Sequence, residues 1–270
     1  MDSEPPPPPE PQPPPRRRRL LKGACLLLSL LGAYCVFHVL LALYPWPLFG
    51  HSVTQGGYTL YMREEIPPEA AAVLERVDAR VSASALNVEG LEHPIYVFND
   101  QGLIEYLLLR NVHFGARLPS GSIYISDADV AQDVARCVRL GPNDERRRTL
   151  TESIAHEVAH TLLREHLGWR AERAIPAWIK EGYCEYVAEG QVIDEAVGLS
   201  LLKSGDEGSI PGLWQFKNRL MMEYLLSERG LSIQEVLQDP PDHAATLSGL
   251  LEGLRSDERA FLARLRSRPR

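Results

Sequence analysis

Two stretches of the hydrophobic pattern dominate the chain. Gly23 to Tyr44 runs for 22 positions without a charged residue. At 1.5 Å per residue such a helix is about 33 Å long, enough to cross a bilayer core. The second stretch is amphipathic. Apolar residues recur at Ile154, Ala155, Val158, Ala159, Leu162 and Leu163, a wide stripe at helical spacing that predicts a largely buried helix. Thr149 and Glu152 form a capping-box pair at its start and Gly168 is a C-terminal stop, which bounds the helix at about residues 150–167. Upstream, the pattern predicts helices over 67–86 and 100–110 and strands over 94–98 and 121–126. Downstream it predicts helices over 176–189, 213–228, 232–238 and 256–266, with Pro176 suited to a first helical turn. The fold class expected is α+β: a small mixed sheet with the amphipathic helix, then a mainly helical half.

Polar composition divides the chain further. Residues 5–15 include nine prolines, a low-complexity tract that stays extended and solvated. Arg16 to Arg19 and Lys22 follow as a basic cluster. The reading is therefore a disordered tail over 1–22, a transmembrane helix over 23–44 and one domain over 51–270. A cleaved signal peptide competes for the apolar run, but its core would be shorter and would end in a small-x-small exit. This run ends in Tyr44-Pro45-Trp46-Pro47 and, with Phe49, resembles an interfacial aromatic belt, which favours an uncleaved anchor. The positive-inside rule then puts the N-terminus in the cytoplasm and the domain in the periplasm, extracellular space or an organelle lumen. The first 22 residues carry five basic and three acidic groups and the next 28 carry none, so a whole-chain charge of −7 leaves −9 on the outer 220 residues. An acidic surface argues against nucleic acid as a partner. No internal repeat is apparent, and nothing in the pattern sets an oligomeric state.

The amphipathic helix carries the chemistry. His156-Glu157-Val158-Ala159-His160 places two imidazoles one turn apart on one face, able to reach a single metal ion, with Glu157 beside the first as general base. Glu152, Arg164 and Glu165 flank the motif closely, which excludes an intramembrane protease whose motif lies in a long apolar run. A catalytic Zn²⁺ needs a third protein ligand and an open position. Glu181 and Glu185, four apart on the next helix, supply one ligand and one outer carboxylate able to hold a ligand histidine's distal N–H.

His156-Glu157-x-x-His160, followed after 20 intervening residues by Trp178-x-x-Glu181-Gly182, resembles the gluzincin zinc metallopeptidases and their small single-domain relatives. The resemblance covers mainly residues 150–190. It implies a zincin-like catalytic domain with zinc ligands His156, His160 and Glu181, Glu157 as general base and acid, and Glu185 orienting a ligand histidine. The activity implied is hydrolysis of peptide bonds in peptide or protein substrates. No amine-binding exopeptidase run is present, which points to endopeptidase action. A metzincin is excluded because His160 is not followed by x-x-Gly-x-x-His, and His166 is read as a helix-end surface residue. In zincins an edge strand before the motif helix pairs with extended substrate, a role the resemblance gives to residues 121–126. The family's oxyanion donor has no unmistakable match; Tyr183, Tyr224 and His243 are the candidates, Tyr224 better read as core. The alternative is an inactive zincin-like domain serving as a membrane-tethered binding or scaffold module. Cys25 and Cys35 read as small apolar residues of the span, whereas Cys137 and Cys184 admit a disulfide, two buried thiols or metal ligation. The charged run Asn143 to Arg148 reads as a solvated loop.

Overall fold

The computed structural model describes residues 15–108, 115–117, 120–136, 147–205, 210 and 212–267. The proline tract over 5–14, Cys137 and residues 143–146 of the charged run lie outside the described residues. The chain forms two compact units that divide between Ala42 and Leu43.

Helix α1 (Pro15–Leu43) contains a 24-residue stretch, Leu20–Leu43, of mean hydropathy 2.3, long and apolar enough to cross a membrane. It starts ahead of the uncharged run because arginine, leucine and lysine are good helix formers. Leu26, Leu27, Leu28 and Phe37 are exposed around it.

The second unit is mixed α+β. A five-stranded sheet has the order β1-β2-β3-β5-β4, with β1 (His51–Gln55), β2 (Tyr58–Met62), β3 (His93–Phe98), β4 (Gly115–Arg117) and β5 (Ile123–Ser126). β1 and β2 form an antiparallel hairpin closed by Gly56-Gly57, with Gln55 opposite Tyr58. β2, β3 and β5 run parallel, and β4 returns antiparallel along β5. Helices α2 (Ala70–Ser82) and α3 (Gln101–Leu108) make the crossovers. Side chains alternate across the strands. Leu60, Ile95, Val97, Ile123 and Ile125 join the main core with Val73, Leu74 and Val77 of α2. On the other face Tyr96 stacks on Tyr61 at 4.8 Å and meets Tyr124 edge-on.

The strand expected at the sheet edge is not there. β5 is an interior strand with all four residues buried, and the edge strands are β1 and β4. A run of only three residues carries too little alternation to be seen in sequence.

A second, three-stranded antiparallel sheet joins β6 (Ala128–Asp129), β7 (Val134–Arg136) and β8 (Arg147–Thr149). β8 feeds directly into α4 (Leu150–Ala174). The capping box forms as expected: the Glu152 N–H donates to Thr149 Oγ1 at 3.0 Å and the Thr149 N–H to Glu152 Oε2 at 3.3 Å. Asp133 adds an anchor, accepting the Thr151 N–H at 2.8 Å and the Arg76 guanidinium at 3.1 Å. Gly168 leaves helical geometry at φ 75°, so the first helical stretch ends where expected. A second stretch continues to Ala174, tied back by Arg164 to Glu172 at 3.2 Å.

Helix α5 (Ala177–Ala188) packs on α4 on one side and on α7 (Leu213–Glu223) on the other. The approach to α7 is close: a Cβ at Gly182 would stand 2.6 Å from the Asn218 carbonyl oxygen. Helices α6 (Glu195–Ser204), α8 (Ile233–Gln238), α9 (His243–Ser256) and α10 (Glu258–Ser267) complete the helical half, with a π turn over Tyr224–Glu228.

Candidate metal centre

His156 and His160 project from the buried middle of α4, one turn apart as their spacing demands, with ring centroids 4.9 Å apart. α5 crosses in front of them and brings Glu181. His156 Nε2 lies 3.4 Å from Glu181 Oε2, and His160 Nε2 lies 3.5 Å from Glu181 Oε1. Tetrahedral zinc with N and O ligands near 2.1 Å has ligand-to-ligand edges of about 3.3–3.5 Å. Each histidine thus stands at about such an edge length from one oxygen of Glu181.

A second set is also present. His156, His160 and Cys184 offer ligand atoms all within 4.8 Å of one another, and this group can hold a metal ion. The two sets differ in how they use His160. Its Nε2 faces Glu181, whereas its Nδ1 is 3.2 Å from Cys184 Sγ.

Behind His156 stands a buried ion pair. Glu185 Oε1 is 3.1 Å from His156 Nδ1. The same carboxylate takes two parallel hydrogen bonds from Arg148, at 3.0 and 2.8 Å. Burial pushes the Glu185 carboxyl up, but the Arg148 guanidinium and His156 outweigh it and hold the group at about 2. Burial likewise lowers His156, yet Glu185 and Glu181 raise it to about 9. Glu181, raised by burial, is brought below its ordinary range by the two histidines. The carboxylates thus favour positive charge at His156.

Arg148 is a correction to the sequence reading. A charge-rich run reads as solvated surface, but its last member sits on β8 with a side chain 7% exposed. Gly190 closes this corner, since a Cβ there would meet Glu185 Oε2 and Arg148 Nη2. Arg219 fixes Gly190 through its carbonyl at 2.8 Å.

Glu157 follows His156 on the helix and is half-buried. His166 lies at the end of the first helical stretch, near Gly168. The three oxyanion candidates separate clearly. Tyr183 is buried and shares a 2.7 Å hydrogen bond with Ser84, which commits it to the core. Tyr224 packs against Gly249 and Phe261 between helices, so the core reading holds. His243 opens α9 half-buried, its ring edge-on to Trp178 at 5.5 Å, one turn before Glu181.

No protein-family model and no curated protein matches this chain.

Proposed function

We propose that the chain is a membrane-anchored, zinc-dependent peptidase of gluzincin type, with His156, His160 and Glu181 as ligands. The observation that carries this reading is the convergence of both Nε2 atoms on the two oxygens of Glu181 at 3.4 and 3.5 Å. Zinc bound there supplies a Lewis acid and a water whose pKa falls to about 7. Glu157, adjacent to the first ligand, accepts the proton of the attacking water and returns it to the leaving amine. Glu185, itself gripped by Arg148, fixes the orientation of His156. β4 ends the strand order, its outer edge not paired among the described residues. That edge is where an extended peptide can add by β-augmentation. His243, half-buried beside Trp178, is the candidate left for the oxyanion donor. The basic cluster in the first turns of α1 orients the anchor with its N-terminus in the cytoplasm and the catalytic unit outside it.

A second reading has one observation in its favour. Tyr183 and Tyr224 are committed to packing, and without an oxyanion donor the domain would bind metal or a partner and cleave nothing. The two are separated by incubating the full chain, in detergent micelles with zinc, with a complex peptide library read by mass spectrometry. The peptidase reading expects internal cleavages that a chelator abolishes and added zinc restores. Metal-loaded protein that leaves the library intact supports the inactive module instead.

A further inference from the structure

Two consecutive residues of α5 stand behind the two histidines. Glu185 Oε1 lies 3.1 Å from His156 Nδ1, and Cys184 Sγ lies 3.2 Å from His160 Nδ1. A histidine that binds metal through one nitrogen almost always donates its other N–H to an outer acceptor, which fixes its tautomer and ring plane. His156 has the usual carboxylate. His160 has a sulfur in the equivalent place. Because His160 turns Nε2 toward Glu181, the sulfur meets the opposite side of the ring. Cys184 is fully buried, so its position is set by the helix and not by solvent.

We infer that Cys184 is the positioning residue of His160, accepting the Nδ1–H through its sulfur, and is not a metal ligand. One helix then supplies the third ligand, Glu181, and the outer partners of both other ligands. The two histidines are unequally supported. A neutral thiol is a weak acceptor beside an ionised carboxylate. The inference rests on the metal site proposed above and deepens it.

The test uses the full chain in detergent micelles, with cobalt(II) as the probe of ligand type and zinc competition as the probe of affinity. A thiolate bound to cobalt gives an intense near-ultraviolet charge-transfer band, and nitrogen or oxygen ligands do not. The wild type is expected to take up cobalt without that band. Cys184→Ala is expected to weaken zinc binding by about 10- to 100-fold, and Cys184→Ser, which keeps an acceptor, to recover most of it. A charge-transfer band that disappears in Cys184→Ala overturns the inference, since the sulfur is then a ligand. Equal zinc affinity in all three proteins also overturns it, since the thiol is then only filling space. Both of those results leave the metal site standing, whereas a wild type that takes up neither metal removes the site itself. The wild-type spectrum decides the ligand question even if a variant fails to fold.

Discussion

Glu157→Gln will lower peptide hydrolysis by about 10²- to 10⁴-fold, the usual contribution of a positioned general base, while zinc stays bound. Glutamine keeps the shape of the side chain but cannot accept a proton at neutral pH. The three proposed ligands are His156 and His160 on α4 and Glu181 on α5, so the substitution removes none of them. The helix should also persist: it is capped at Thr149 and anchored through Asp133, and glutamine is as good a helix former as glutamate. Activity and metal content are measured on the same preparation. Loss of both together would indicate a damaged fold, and retained activity with bound zinc would remove Glu157 from the base's role.

The second large effect is on stability. Arg148→Met will destabilise the second unit by about 3–5 kcal/mol, the ordinary result of removing one partner from a buried ion pair. Arg148 and Glu185 are 7% and 1% exposed in their side chains, so the carboxylate left behind has little access to water. For a domain of this size the loss corresponds to roughly 6–20 °C in melting temperature. The pH dependence has a definite sign. The Glu185 carboxyl is depressed to about 2 in the folded protein. Its stabilisation is therefore complete above the ordinary carboxylate range near 4.5 and is lost as pH falls toward 2. The melting-temperature gap between wild type and Arg148→Met should be widest at neutral pH and narrow in acid. A gap independent of pH would mean that Arg148 contributes through packing alone.

Much of what positions the site was legible because it is local. Thr149, Glu152, Gly168 and Pro176 are helix punctuation that acts within a turn, and the helices formed where those residues put them. The apolar span is legible for the same reason. Most of the misses are non-local. Nothing in a charged run distinguishes Arg148, which is buried because β8 aims it at a carboxylate 37 positions on. The thiol of Cys184 faces His160 only because α5 crosses α4. Helices α6 and α9 carry glycines that lower helix propensity, and the reason for those glycines is tertiary. A Cβ at Gly198 would strike the Phe216 ring, and Cβ atoms at Gly249 and Gly253 would strike Tyr224 and Phe261. Their start signals were nonetheless present, since Asp194 and Asp242 cap them by accepting the N–H groups of Val197 and Ala245. The β1–β2 hairpin is a local miss: Gly56-Gly57 between two strand-like runs is a turn signal, yet no strand was expected there. The edge strand β4 was not readable, being too short to show a period.

The central claim is a three-ligand metal site closed by Glu181. Elemental analysis of the purified full chain, wild type beside Glu181→Ala, tests it most directly. Close to one zinc per wild-type chain is expected, and its loss from the variant. A wild type without zinc, or a variant that keeps its full complement, contradicts it.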